Sequence, residues 1–578
     1  MQNGKQIILG LNAYHADSSA AIIVDNKLIA AAEEERFNRE KHWSGFPIES
    51  IKFCLNETNL EFKDITDVAI NSNQFSNLSQ KILYSLTNLK FENFSKFLTR
   101  NKKKFLIRSL IDYHFGKKNN FYFHRIDHHL SHLASAFYPS EFDRSLGLSI
   151  DGMGDFCSIA VADCNISNIN KINIKKRIFY PNSLGIFYES ITQFLGFKNY
   201  GDEYKVMGLA PYGKPIYRDI LEKLFLSDFE LDLKYFNHHR KNYNYKFEGT
   251  PVQETILNKK FNEFFNESIF PGEEIKQFHM DIAASTQKIF EEKVLRLINN
   301  NININNSKLV IAGGCAMNSS CNGKIIEKKI FDDVFIPSAP GDSGGAIGSA
   351  LVVLEKKYSI SKLVNFKNPY LGKSYNSEQI KRCIIKKINL DKFKVEEFND
   401  EISLITNTIK FILSEKIVGW FQGHMEFGSR ALGNRSIICD PRLKHARDLI
   451  NTKIKFREKF RPFAPSILVE HVSEWFECDN KSDYMSFVYK IKKDRQKTIP
   501  AVTHIDGTGR LQTVSKEINS KFYNLILEFY KKTSVPILLN TSFNENEPIV
   551  ESPYNALETF LKTNMDVLVL ENYVISRK

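Results

Sequence analysis

No apolar run in this 578-residue chain approaches the roughly 20 residues that a bilayer-spanning helix needs. The first apolar stretch, residues 7–11, is too short for a signal-peptide core and has no cleavage-like sequel, so a cytoplasmic location is expected. Paired cysteines are missing as well. Cys54, Cys157, Cys164, Cys315, Cys321, Cys383, Cys439 and Cys478 are scattered, with no CxxC and no zinc-ribbon spacing. This argues against a disulfide framework and for free thiols in a reducing compartment. A dense basic track is also lacking. The formal charge is +12, but the lysines are spread out, and the thickest group is Lys102, Lys103 and Lys104 with Lys117 and Lys118. Nucleic acid is therefore disfavoured as a partner, and anionic small substrates account for the balance equally well. The length allows two to four domains, each with its own core.

One stretch, DHHLSHLASAFYPSEFDRSLGLSID from Asp127 to Asp151, concentrates chemistry. Asp127 is a natural N-cap, and Leu130, Leu133, Ala134, Ala136 and Phe137 predict a helix that Pro139 ends. His128 and His132 then lie one turn apart on one face. Residues 146–150 predict a strand that places Asp151 at its C-terminal end, where open α/β sheets bind ligands, ahead of a turn running to Asp155. Two imidazoles and a carboxylate suit iron, zinc or manganese, and the spacing does not choose among them; a solvated or core histidine pair is the alternative. Asp342, in FIPSAPGDSGGAIGSA, is either a further ligand of the same ion or the N-cap of a small-residue helix.

Residues 7–11, 20–24 and 28–32 predict three strands, with AYHADSS turning between the first two. From Leu146 that outline recurs as LGLSI, DGMGD and SIAVAD. Two such copies predict a duplicated nucleotide-binding domain of the actin and sugar-kinase kind, with its acidic turns facing a phosphate cleft. Lys41 and His42, in EEERFNREKHWSGFP, could reach a phosphate or belong to a salt-bridged helix end. LVIAGGCAMN predicts a buried strand, a turn at Gly313 and Gly314 and a helix start near Asn318, which together make a cradle for phosphate or adenosine. Residues 199–214, NYGDEYKVMGLAPYGK, predict a loop whose reactive candidates are Asp202, Glu203 and Lys205. Residues 76–123, low in glycine and rich in Lys, Asn and Phe, read as a helical insertion with no chemistry assigned.

A first domain over residues 1–355 and a second over 401–578 are expected, joined by a lysine-rich linker at 356–400. In the second, Arg430, Arg435, Lys455 and Arg461 follow in short order, and arginines held by Pro and aromatic neighbours are poised for bidentate contact with phosphate or carboxylate. Lys444 and Lys453 read as solvated. HIDGTGR, ending at Arg510, and LNTSF, carrying Asn540 and Ser542, complete an anion-seeking cleft.

Taken together, HHLSH with Asp151, GDEYKVMGLAPYG, AGGCAMN, PSAPGDSGGAIG, GSRALGNRSI, KFREKFRPFAP, HIDGTGRLQT and LNTSFNENEPIV resemble the O-carbamoyltransferases that include nodulation protein U and the cephem and tobramycin carbamoyltransferases. The resemblance spans nearly the whole chain in the family's order, apart from the insertion and the linker. It implies an N-terminal actin-like ATPase-fold domain and a C-terminal α/β domain similar to the YrdC-type synthases. The second domain would make carbamoyladenylate from carbamoyl phosphate and ATP, and the first would pass the carbamoyl group to an acceptor hydroxyl. His128, His132, Asp151 and Asp342 fall on iron ligands, and Lys41 and Gly314 on nucleotide contacts. Arg430, Lys455, Arg461, Arg510, Asn540 and Ser542 fall on groups holding ATP and carbamoyl phosphate, in keeping with the need to fix two polyanions.

His15 and Asp17 resemble the transfer-site pair, with His15 as general base and Asp202 orienting the acceptor. Some relatives read His-Asp directly where this chain has His15-Ala16-Asp17, which leaves the division of labour open. Fe(II) or another divalent metal and ATP are the implied cofactors, with magnesium a further candidate. A tRNA-modifying (threonyl)carbamoyl transferase and an actin-fold ATP-binding switch are the alternatives, and the arginine-rich second domain opposes the switch. The acceptor and the oligomeric state are not read from the sequence.

Overall fold

The computed structural model describes residues 5–87, 103–104, 106–117, 119–240, 245–246, 249–265, 274–302, 307–358, 366–455, 457–458 and 460–578. Residues 88–102, 105 and 118 of the proposed insertion and residues 359–365 of the linker lie outside them, as does the Lys453 side chain. The chain divides into two compact units, Met1–Lys367 and Asn368–Lys578, both mixed α/β.

In the first unit, β1 (Ile7–Asn12), β2 (Ser19–Val24), β3 (Lys27–Glu33), β4 (Asp67–Ile70) and β5 (Tyr122–Arg125) form a sheet in the order β3-β2-β1-β4-β5. The first three pair antiparallel, and β4 and β5 are added in parallel. Further on come β6 (Arg144–Gly154), β7 (Cys157–Asn165) and β8 (Ile172–Phe179), then a separate hairpin of β9 (Tyr245–Lys246) and β10 (Val252–Gln253), then β11 (Lys308–Ala312) and β12 (Asp333–Phe335). The second sheet runs β12-β11-β6-β7-β8, again an antiparallel meander with two parallel strands added. The two sheets thus share one topology. Every residue of β1 is buried, as the central strand of a sheet covered on both faces must be.

Close helix approach places the site. At Gly10 of β1 a Cβ would lie 2.0 Å from the Ala346 carbonyl oxygen, and at Gly348 it would lie 1.8 Å from that of Ser131. The Gly344–Tyr358 helix therefore lies against β1 on one side and the His128–Ser140 helix on the other, which carries Asp342 to the two histidines.

Three local expectations need revision. Asp151 lies within β6, and the turn falls at Asp155 and Phe156, with φ of 47° and 68°. The loop after Asn199 contains a helix, Glu203–Leu209. Residues 366–400 are more than a connection: the helix Ser377–Lys387 buries Ile380 and Ile384, and β13 (Phe393–Glu397) pairs with β21 (Tyr573–Arg577). The lysines that suggested a linker occupy the solvent side of that helix and of an edge strand.

The second unit is built on one nine-stranded sheet. It adds β14 (Val418–Phe421), β15 (Arg435–Cys439), β16 (Ala464–Leu468), β17 (Phe487–Lys490), β18 (Thr508–Val514), β19 (Ile537–Ser542) and β20 (Val567–Leu570), in the order β13-β21-β20-β14-β15-β19-β16-β18-β17. Among the described residues no helix is long and apolar enough to cross a membrane.

Candidate active site

Asp127 accepts the Leu130 N–H at 3.0 Å and starts the His128–Ser140 helix, which turns both imidazoles inward. The Nε2 atoms of His128 and His132 stand 3.0 Å apart. Asp151 brings Oδ2 to 2.9 Å from His128 Nε2 and 3.4 Å from His132 Nε2, and Asp342 brings Oδ1 to 3.5 and 3.4 Å. Asp155 braces the group from outside. Its Oδ2 accepts the backbone N–H of His128 at 2.9 Å and of Asn73 at 2.8 Å, while Oδ1 accepts the Ser72 hydroxyl at 3.0 Å.

Burial favours a protonated Asp151, but its bonds with His128 and His132 outweigh burial and hold the carboxyl well below its ordinary range. Burial would lower His132, yet Asp151 and Asp342 raise it to about 9. Asp342 is raised by burial and by the nearby Asp151. The donor set fits a divalent metal. Two imidazole nitrogens and two carboxylate oxygens lie within 4.8 Å of one another, and Asp342 Oδ1 is buried with no hydrogen-bond donor. Mixed nitrogen and oxygen donors of this kind suit iron, zinc or manganese better than calcium.

His15, on the turn after β1, stacks on His128 with ring centroids 4.9 Å apart and sets Nδ1 4.0 Å from Asp342 Oδ2. Lys104 donates to its Nε2 and lies 3.2 Å from the Ser72 hydroxyl oxygen. Burial, then the Lys104 and His128 charges, hold His15 well below its ordinary pKa, so it is neutral at pH 7. Asp17 turns the other way: its Oδ1 lies 2.8 Å from His42 Nδ1, with φ of 53° at Asp17 and 56° at His42.

Gly313, at φ 90°, lets the strand end pass Ile150, whose carbonyl oxygen would lie 2.2 Å from a Cβ there. The Gly314 N–H then donates to Asp151 Oδ1 at 3.2 Å. Asn318 caps the Ser319–Glu327 helix through Cys321 and exchanges amide bonds with Gln287 at 2.9 and 3.0 Å. Asp202 precedes the Glu203–Leu209 helix and pairs with Lys205 at 3.1 Å. Burial raises the neighbouring Glu203 to about 7.

In the second unit, Arg510 is half-buried, with Arg430, Arg457 and Arg461 close by. Burial first, and then those three charges, push its pKa well below the guanidinium range. Its Nε is buried without a partner. Such crowding of like charge favours a bound polyanion. Arg435 is different. Its guanidinium donates to the carbonyls of Lys373, Gln422, Gly423 and Asn434 at 2.7 to 3.2 Å and stacks 3.6 Å from the Phe421 ring centroid. Lys455 is bound to the Ser542 and Asn544 carbonyls, the Ser542 hydroxyl and the Asn544 amide oxygen. Asn540 donates to the Ala431 carbonyl, Ser466 and Gln512.

The family described as "Carbamoyltransferase N-terminus" matches residues 7–351, and "Carbamoyltransferase C-terminus" matches residues 409–577. The chain belongs to the carbamoyltransferase family. Nodulation protein NolNO of Sinorhizobium fredii is 36% identical over 585 residues, covering 98% of this chain and 80% of the relative. Nodulation protein U of the same species is 26% identical, covering 93% of each. An uncharacterized protein of Synechocystis is 35% identical over 99% of this chain and 96% of its own. Among solved structures, (R)-2-hydroxyglutaryl-CoA dehydratase component A of Acidaminococcus fermentans overlaps 61% of this chain and 98% of its own at 12% identity and a TM-score of 0.34, too loose a likeness to carry an argument.

In this carbamoyltransferase the four expected metal ligands come together, and His15 lies against them. Gly313 and Gly314 abut Asp151, whereas the Asn318 amide is occupied by a helix cap and by Gln287. Arg430, Arg461 and Arg510 converge, while Arg435, Lys455 and Asn540 hold backbone and buried polar groups. Sequence reasoning missed Lys104, which lies in a segment given no chemistry, and Asp155, whose partners come from distant chain. It also missed Arg457, two residues after Lys455 in the quoted KFREKFRPFAP.

Proposed function

We propose that this carbamoyltransferase is an O-carbamoyltransferase that works in two steps. The second unit, in a YrdC-like role, makes carbamoyladenylate from carbamoyl phosphate and ATP. The first unit, on an actin-like duplicated fold, transfers the carbamoyl group to a hydroxyl of a small-molecule or saccharide acceptor. The observation that carries this reading is the group of Arg430, Arg457, Arg461 and Arg510, where several fixed cations meet two polyanionic reactants.

Activation consumes one water. Carbamoyl phosphate loses inorganic phosphate, the carbamate oxygen bonds to the α-phosphorus of ATP, and pyrophosphate leaves. Arg510 and its neighbours hold the phosphates in line, while Arg435, Lys455, Asn540 and Ser542 stiffen the loops that carry them. In transfer, the acceptor oxygen bonds to the carbamoyl carbon, the bond from that carbon to the adenylate oxygen breaks, and AMP departs.

His128, His132, Asp151 and Asp342 would hold the metal, Fe(II) in the reading taken from the resemblance, and it would supply Lewis-acid charge toward nucleotide phosphate oxygens. On this reading Gly314 and Lys41 would contact the nucleotide, and His15, Asp17 and Asp202 would serve the acceptor hydroxyl, with His15 as its general base and Asp202 orienting the acceptor. The test is pyrophosphate release by the whole chain from ATP, with and without carbamoyl phosphate. Release that needs carbamoyl phosphate is expected, and ATP turnover indifferent to it overturns the reading.

A further inference from the structure

The segment from 76 to 123 reaches the transfer site through Lys104. This lysine is 9% exposed, and its ammonium donates to His15 Nε2 and, at 3.2 Å, to the Ser72 hydroxyl oxygen. Ser72 in turn donates to Asp155 Oδ1 at 3.0 Å, and the other oxygen of that carboxylate accepts the His128 backbone N–H at 2.9 Å. Lys104 is thus tied to the carboxylate that braces the metal-type cluster. The same segment adds a second tie, since the Asn77 side-chain amide donates to the Asp155 carbonyl at 2.9 Å.

The two nitrogens of His15 have different surroundings. Nδ1 is turned toward Asp342, 4.0 Å from Oδ2, and the ring is stacked on His128 with centroids 4.9 Å apart. Nε2, on the other side of the ring, is the nitrogen placed to take a proton from the acceptor, and it is the one that accepts the Lys104 bond. An imidazole nitrogen has a single lone pair, so Nε2 cannot accept from an ammonium and from a hydroxyl at once. In this structure the base is covered.

Covering it has a chemical use. Carbamoyladenylate is a mixed anhydride, and water attacks its carbamoyl carbon by the same route as an acceptor hydroxyl. Water is also far more abundant, and a base left open would activate it. Keeping reactive intermediates from hydrolysis is a general requirement of group transfer. A correct substrate can use its binding energy to complete the catalytic site, whereas water has too few contacts to do so.

We propose that Lys104 is the residue that selects the acceptor hydroxyl over water, its ammonium covering His15 Nε2 until a bound acceptor displaces it. The inference rests on the two-step reading, with His15 as general base. Without the ammonium, the water oxygen bonds to the carbamoyl carbon and one water proton passes to His15 Nε2. The bond from that carbon to the adenylate oxygen breaks, its electron pair leaves with AMP, and carbamic acid is released. His15 then returns its proton to solvent.

The experiment uses the whole chain with ATP and carbamoyl phosphate and no acceptor. Pyrophosphate release reports how much adenylate is made, and the appearance of AMP gives the rate constant for its breakdown. The proteins are wild type, Lys104→Met, Lys104→Gln and the double variant His15→Ala with Lys104→Met, each checked for folding by circular dichroism. Wild type should break the adenylate down no faster than the compound decays off the enzyme. Lys104→Met and Lys104→Gln should do so about 10- to 100-fold faster, the scale of one hydrogen bond from a charged donor. The double variant should return to the wild-type rate, because the gain runs through His15.

Either folded single variant decides the matter. Breakdown that is unchanged or slower overturns the proposal. So does a gain that persists in the double variant, which would mean that removing the lysine loosens the site or lets the adenylate escape. Absence of carbamoyl-phosphate-dependent pyrophosphate release in the wild type instead defeats the two-step reading, and the proposal with it.

Discussion

A Cβ added at Gly154 would lie 2.0 Å from His128 Cδ2, so the end of β6 and the first imidazole of the metal-type cluster fit only because residue 154 has no side chain. Gly154→Ala must therefore move either the strand or the ring. The expected cost is about 1 to 3 kcal/mol of stability, with His128 displaced. Thermal unfolding together with metal analysis checks this, and a variant with unchanged melting and full metal content contradicts the fit.

The four-donor cluster predicts bound metal in the purified protein and its loss on removing a ligand. His132→Ala should reduce stoichiometric metal at least about tenfold and lower carbamoyl transfer with it. Elemental analysis that finds the same metal content in this variant, with the fold intact by circular dichroism, would sink the assignment.

Arg510 and Arg435 should respond oppositely. Arg510 is crowded by three like charges, so Arg510→Gln should leave the unfolding midpoint unchanged or raise it. Carbamoyl-phosphate-dependent pyrophosphate release should fall about 30- to 1,000-fold, corresponding to about 2 to 4 kcal/mol of lost transition-state stabilisation. Arg435→Lys cannot reproduce bonds to four carbonyls and should lower the midpoint. The reverse pattern of stability and activity would exchange the two roles.

His238 makes stability depend on pH in a defined window. Burial holds its pKa at about 4, and its Nε2–H donates to the Pro181 carbonyl at 2.9 Å. The unfolded chain protonates this ring near its ordinary 6.5 while the folded chain resists, so the unfolded state binds more protons between those values. The contribution is full above about 6.5 and shrinks as pH falls toward 4, with about 2 kcal/mol lost by pH 5. Denaturant unfolding at pH 7 and pH 5 measures the loss. His238→Asn should flatten that part of the profile, and an unaltered slope in the variant counts against this origin.

Local pattern determined a good part of this protein. Helical spacing placed His128 and His132 on one face, and the apolar run into Asp151 put a carboxylate beside them, because periods of 3.6 and 2 are set by backbone geometry alone. The repeated strand-turn-strand outline was visible as two copies and corresponds to two sheets of one topology. GSRALGNRSI and KFREKFRPFAP displayed the cations of the second unit but not their division of labour.

Tertiary structure alone decided the rest. Whether an arginine faces an anion or its own backbone depends on which carbonyls the fold leaves unpaired, and Arg435 meets four, those of Lys373, of the adjacent Gln422 and Gly423, and of Asn434. Lys104 reaches His15 across 89 positions and Asp17 finds His42 across 25, separations over which no periodicity carries information. Composition marks residues 366–400 as a linker because it registers their lysines, whereas the fold uses the apolar residues between them, Ile380 and Ile384, as core. A side chain's partner is set by the packing of distant segments, and that packing appears only once the chain is closed.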